Sequence, residues 1–231
     1  MTLEYLKQNI QQIKSKIKAA AERSGRNWED IHLVAVTKNF SAEVVQAAVD
    51  CGIVLLGENR VQEAKSKIEL VKGDVKWHLI GHLQRNKVKT AIGMFSMIQS
   101  LDSFRLAEEI QKRAEQAERV VDVLVQVNIG REITKYGIDP DNTESFIEKV
   151  SSFPNIKIRG LMAIAPFKEN PEDVRSYFRH LYNIFESLKQ KSIRNVNMEY
   201  LSMGMSHDFE VAIEEGANMV RIGTGIFGTR Q

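Results

Sequence analysis

The sequence predicts an α/β fold: a single (β/α)8 TIM barrel over residues 31–231, preceded by an extra helix over residues 1–25. Three observations predict it. Eight short apolar runs, most of them rich in β-branched residues, recur along the chain, each followed by a segment of helical spacing or a turn. The 231 residues are close to the usual size of that fold. The last run, Met219-Val-Arg-Ile-Gly-Thr-Gly-Ile-Phe-Gly228, ends in a Gly-Thr-Gly turn, where missing side chains let backbone N–H groups come close to a ligand. A doubly wound open sheet is the competing architecture, and the eightfold count favours the barrel.

The elements follow in order. Leu6, Ile10, Ile13 and Ile17 lie on one face of an opening helix, with Thr2 placed to cap it and Gly25 just beyond its end. Ile31–Thr37 reads as a strand buried on both faces, and Ser41–Asp50 as a helix capped by Ser41 and followed by Gly52. Ile53–Gly57 is the second strand, with Val61, Ala64, Ile68 and Val71 marking its helix. Lys76–Gly81 is the third, followed by a short helix around Asn86–Ile92. Phe95–Ser100 is the fourth, with a long helix from Ser103 to about Arg119, and Val120–Asn128 the fifth, with a helix from near Thr143. Ile156–Ile164 is the sixth. The helix after it is the most clearly marked: Asn170 caps it, Pro171 opens it, and Glu172 and Asp173 suit its dipole. Glu199–Met203 is the seventh strand, with a helix from about His207, and Met219–Gly223 is the eighth.

Composition narrows the function classes. Net charge is +2, from 32 basic and 30 acidic side chains, which makes no electrostatic case for nucleic acid or an acidic membrane. No run approaches a membrane span, and the N-terminus lacks the apolar core of a signal peptide, so the expected location is the cytoplasm. The single cysteine, Cys51, excludes an internal disulfide and a cysteine zinc cluster, and reads as a small packing residue.

In a barrel of this kind the site sits at the C-terminal ends of the strands, with phosphate often held after strands seven and eight. Ser206 stands there before a helix, beside Gly223 and Thr224. Lys38 is the lysine that ends an apolar strand at this face, and such a lysine can act as a nucleophile on an aldehyde. A lysine with a phosphate site is the minimum for pyridoxal 5'-phosphate as a Schiff base; a solvated loop lysine is the plainer reading. Arg221, two residues before the turn, needs a partner or a ligand. Facing a pyridine nitrogen, it would keep that nitrogen unprotonated and the ring a poorer electron sink; an ion pair with a glutamate is the alternative. His78 and His82 are four apart but lie on a strand and turn, not on the helix a two-His zinc motif needs, so no metal is expected. His82 suits stacking on a flat ligand and His78 the core, while Met203, Met205 and Met219 suit core packing.

Six motifs carry a resemblance: Leu33-Val-Ala-Val-Thr-Lys38, Gly57-Glu-Asn-Arg-Val-Gln-Glu63, Trp77-His-Leu-Ile-Gly-His-Leu-Gln84, Gly160-Leu-Met-Ala-Ile164, Leu201-Ser-Met-Gly-Met-Ser206 and Val220-Arg-Ile-Gly-Thr224. In order and spacing they resemble the pyridoxal phosphate homeostasis proteins. The resemblance implies a fold type III barrel like the N-terminal domain of alanine racemase. It implies Lys38 as the Schiff-base lysine, Arg221 at the pyridine nitrogen, and Ser206, Gly223 and Thr224 at the phosphate. It implies Asn59, His82 and Met203 lining the pocket, and Lys135 as a second lysine near the entrance. Alanine racemase draws a second base, a tyrosine, from a further domain of its partner subunit. Here the sequence stops at Gln231, a few residues after strand eight, so racemisation is expected to lack that base. The expectation is a monomeric, non-catalytic cofactor binder that supplies apo-enzymes and serves vitamin B6 balance. A weak amino-acid racemase and a cofactor-free barrel enzyme acting on a phosphorylated metabolite are the competitors. Tyr136 and His207 are the residues that would have to supply an unexpected second base.

Overall fold

The computed structural model describes residues 3–228, so the predicted cap at Thr2 lies outside the described residues. Eight parallel strands close into a barrel in sequence order: β1 (His32–Val36), β2 (Leu55–Glu58), β3 (Lys76–Leu79), β4 (Met97–Leu101), β5 (Val121–Val127), β6 (Ile156–Ala163), β7 (Val196–Ser202) and β8 (Met219–Ile222). The barrel closes through β8 and β1, where Val34 is level with Arg221.

Helices cover the outside: α1 (Leu3–Arg23), α2 (Ala42–Asp50), α3 (Val61–Ile68), α4 (Val88–Met94), α5 (Phe104–Gln116), α6 (Thr143–Val150), α7 (Arg175–Lys189), α8 (Phe209–Glu214) and α9 (Thr224–Phe227). α1 buries the predicted Leu6, Ile10, Ile13 and Ile17, and Asn9 Nδ2 ties it to the Ile226 carbonyl at 2.8 Å. Gly25 follows it in the left-handed region, at φ 67°. Asn170 accepts from the Glu172 N–H at 3.1 Å, starting a short 3-10 turn that runs into α7. Ser41 occupies the cap position of α2, but its hydroxyl makes no capping bond. Cys51 is half-buried at the end of α2. α3 ends at Ile68, so Val71 falls in the loop beyond it.

β7 begins at Val196, ahead of the predicted Glu199. Polar Asn197 and Glu199 hide its first half, which pairs across an irregular register where Ile158 faces Val196 and Gly160 faces Tyr200. Gly160 has φ 148°, and any Cβ there would collide with the Tyr200 carbonyl. The predicted Gly-Thr-Gly turn is the start of α9.

Two apolar layers result. The larger lies between strands and helices. The smaller fills the barrel and contains Val34, Met97, Leu124, Met162 and Met219; adaptable thioethers suit its irregular interior. Above it, toward the C-terminal ends, lies a polar stratum. Arg221 Nη1 donates to Ser202 Oγ at 2.6 Å, Ser202 Oγ donates to Gln99 Oε1 at 2.7 Å, and Gln99 Nε2 donates to His78 Nδ1 at 2.9 Å. Every member is buried. His78 is therefore a core histidine, and burial drives it down to about 4, so it sits neutral.

Candidate functional site

Alternation along β1 sends Val34 into the barrel interior and brings Val36 and Lys38 to a cavity at the mouth. The cavity holds about 420 Å³ and is also lined by Phe40, Met205, Ser206, His207, Arg221, Gly223 and Thr224. Of the residues predicted for the site, it unites Lys38, Ser206, Arg221, Gly223 and Thr224. Met205 belongs to this lining, partly exposed, rather than to core packing, whereas Met219 and Met203 are buried.

The floor of the cavity is Arg221, 4% exposed. Its recorded acceptors among the described residues are Ser202 Oγ and the Ala163 carbonyl, the latter at 2.7 Å. No glutamate pairs with it there, which overturns the ion-pair alternative. Burial lowers the guanidinium to about 10, with Asp208 pulling the other way, so it remains a cation at neutral pH. A guanidinium has five N–H donors, so a ligand above it can take those left over.

One wall is an amide cradle. Ser206 Oγ accepts from the Gly223 N–H at 3.3 Å and the Gly225 N–H at 3.1 Å. Two N–H groups converging on one oxygen favour negative charge at that spot. The glycines differ in their reasons. A Cβ on Gly223 would make ordinary contact with Val36, whereas one on Gly225 would press to 3.0 Å on both Ile13 and Ile222. Gly204, in the loop after β7, has φ 92°, and a Cβ there would stand only 2.6 Å from the Ala212 methyl.

Asn59 and His82 line a neighbouring cavity of about 720 Å³ at the same end of the barrel, with Arg60, Gln84, Lys87 and Tyr136. His82 stacks on the Tyr136 ring, centroids 3.8 Å apart, and donates through Nδ1 to Asp102 Oδ2 at 2.7 Å. Met203 is fully buried and lines neither cavity. Lys135 pairs with Glu132 at 2.6 Å and reaches the Ala165 carbonyl. His207 points Nε2 at the carbonyls of Lys168 and Glu169, at 3.1 and 3.0 Å, so that nitrogen carries the proton.

Sequence reasoning missed a buried charged cluster beneath Lys38. Lys67, 4% exposed, donates to the Thr37 carbonyl at 2.7 Å, to Glu58 Oε1 at 2.7 Å and to Glu63 Oε1 at 2.8 Å. Glu63 Oε1 also accepts from the Asn39 N–H. Thr37 Oγ1 donates to Glu58 Oε1 at 2.6 Å, while Glu58 Oε2 has no partner among the described residues. Burial pushes the Glu58 carboxyl up despite Lys67 and Thr37. Glu63 is held below its usual range because bonds from Lys67 and Asn39 outweigh partial burial. A signal was present: Glu63 and Lys67 are an i,i+4 pair, and Lys67 falls in the stripe of Val61 and Ala64 that α3 buries.

A family model described as the N-terminal domain of alanine racemase matches residues 2–231. A pyridoxal phosphate homeostasis protein of Aquifex aeolicus is 48% identical over 225 residues, covering 97% of this chain and 98% of the relative. The chain belongs to the pyridoxal phosphate homeostasis protein family. Its relative in Escherichia coli K12 is 39% identical over 228 residues, covering 96% of this chain and 95% of that one. Among solved structures, PipY of Synechococcus elongatus PCC7942 with PLP bound superposes with a TM-score of 0.80 at 32% identity, over 92% of this chain and 100% of that one. Alanine racemase of Clostridium difficile 630 shares the fold, with a TM-score of 0.75 at 15% identity, and the match takes in 57% of the racemase chain. No helix among the described residues is long and apolar enough to cross a membrane.

Proposed function

We propose that this protein binds pyridoxal 5'-phosphate as a Schiff base on Lys38 and keeps and supplies the cofactor in the cytoplasm, without robust catalysis. The carrying observation is one cavity that holds a lysine, a buried cation and an amide cradle together. These groups fit the cofactor's three recognisable parts. The N–H groups of Gly223 and Gly225, with the Ser206 hydroxyl and Thr224, suit a phosphate. Arg221 suits the acceptor nitrogen of a pyridine and holds it unprotonated. Lys38 suits an aldehyde. The Lys38 amine, in its neutral form, would be the group that holds that aldehyde covalently, with one water released. Bound pyridoxal phosphate supplies a reversible aldehyde for amines.

The bases at hand support the part of this reading that concerns turnover. Racemisation needs a second base opposite Lys38. Tyr136 is stacked on His82 and lines the neighbouring cavity, not the one that Lys38 lines. The relatives' names and the PLP-bound PipY structure support the same reading. In this reading the protein is a monomer, and its partners are apo-enzymes that take up the released cofactor.

The test is the visible absorption spectrum before and after borohydride, with Lys38→Ala alongside. The expected result is a band that borohydride bleaches and the variant lacks. No band after adding pyridoxal phosphate would sink the reading. Lys38-dependent solvent deuterium at the α-carbon of alanine or serine would instead establish racemase chemistry.

A further inference from the structure

Lys38 is joined to the chain by two peptide bonds, and both are held by the same ion pair. The Thr37 carbonyl, on the N-terminal side, accepts from Lys67 Nζ at 2.7 Å. The Asn39 N–H, on the C-terminal side, donates to Glu63 Oε1. Lys67 and Glu63 pair at 2.8 Å, one turn apart on α3. Thr37 is secured twice more, by its N–H to the Gly57 carbonyl at 2.9 Å and by its hydroxyl to Glu58. Asn39 has φ 65°, a left-handed conformation that asparagine adopts more readily than other non-glycine residues. The chain turns sharply there, directly after the residue that must face the cavity.

We propose that Lys67 is a positioning residue: with Glu63 it clamps both peptide groups of Lys38 and so aims the Lys38 amine at an aldehyde in the cavity. Lys67 touches no ligand, because it sits outside the strand layer and acts through the backbone. This inference rests on the proposed function for the nature of the ligand, but the clamp itself is a property of the ligand-free chain. A surface ion pair contributes little. This one is different, since a buried lysine with three acceptors is costly to disrupt and so holds one arrangement. A misdirected nucleophile slows reaction steeply, even when the ligand still binds.

The test uses Lys67→Met and three readouts. The first is the rate at which the Schiff-base band grows after the ligand-free protein is mixed with pyridoxal phosphate. The second is affinity for 4'-deoxypyridoxine 5'-phosphate, which keeps the phosphate and ring but has no aldehyde. The third is amide hydrogen exchange at Asn39 without ligand. The expected result is a rate lower by roughly tenfold to a hundredfold, analogue affinity changed less than about twofold, and faster Asn39 exchange. A folded Lys67→Met with the wild-type rate overturns the proposal, as does a parallel loss of rate and analogue affinity, which marks a general structural role. Should Lys67→Met fail to fold, Glu63→Ala removes the Asn39 acceptor from a partly exposed site and carries the same test. Glu63→Gln, which keeps an acceptor oxygen, should restore much of the rate. If the wild-type protein itself forms no band, the proposed function fails, and Asn39 exchange still decides the clamp.

Discussion

Gly225 shows how little room a single position has at this site. Its N–H reaches Ser206 Oγ at 3.1 Å while Ile13 and Ile222 stand 3.0 Å from where a Cβ would be. Gly225→Ala should push α9 from the cradle, weakening affinity for phosphate monoesters about tenfold and costing about 1–3 kcal/mol from overpacking. Isothermal titration with a phosphate monoester and a urea melt measure the two effects separately. Gly223→Ala, which meets Val36 at an ordinary 3.5 Å, is the control and should change stability by less than Gly225→Ala. Glycines two apart in one motif thus answer to different constraints, which spacing alone does not separate.

Among the elements, β6 and β7 carry the least regular pairing. The register shift between Ile158 and Gly160 lets Tyr200 come opposite Gly160, whose φ of 148° no L-residue adopts comfortably. Gly160→Ala would meet the Tyr200 carbonyl and should destabilise by roughly 3 kcal/mol or more, among the largest effects of a point change. A shift in the urea midpoint at unchanged slope is the expected signature; an unchanged midpoint would mean the strands slide to a regular register. β7 also starts earlier than the apolar run at its end suggests. Val196-Asn-Met-Glu-Tyr200 alternates apolar with polar residues, so a search for continuous apolar runs passes over it.

Across the whole molecule, the interior hydrogen-bond chain links β8, β7, β4 and β3 and ends on His78. Its pH behaviour has a definite sign. Burial holds folded His78 near 4, below its ordinary 6.5, so between these values the unfolded chain binds the proton more readily. The contribution to stability is complete above about pH 6.5 and is lost as pH falls toward 4, by on the order of 3 kcal/mol. His78→Asn keeps an acceptor for Gln99 and does not titrate. Urea melts from pH 7 to 4.5 should show a shallower loss of stability in that variant. An identical slope would place the acid-sensitive groups elsewhere.

The eightfold alternation, the opening helix and the apolar faces of α1 and α7 were legible in the sequence because burial repeats with period two in strands and near 3.6 in helices. So was the grouping of Lys38, Ser206, Arg221, Gly223 and Thr224, because parallel strands in a barrel bring all their C-terminal ends to one rim. Other features had no local signature. Asn59 and His82 share the rim, yet they line the adjoining cavity, since strand order sets which ends are neighbours while side-chain direction sets which cavity each one lines. The acceptors of Arg221 come from β6 and β7, remote in sequence, and Lys67 reaches the Lys38 backbone from α3. A sequence determines which groups must be buried or brought to a rim. Which buried charge meets which backbone atom is decided only when the helices pack, because a hydrogen bond depends on distances of a few ångströms between residues that the chain order keeps apart.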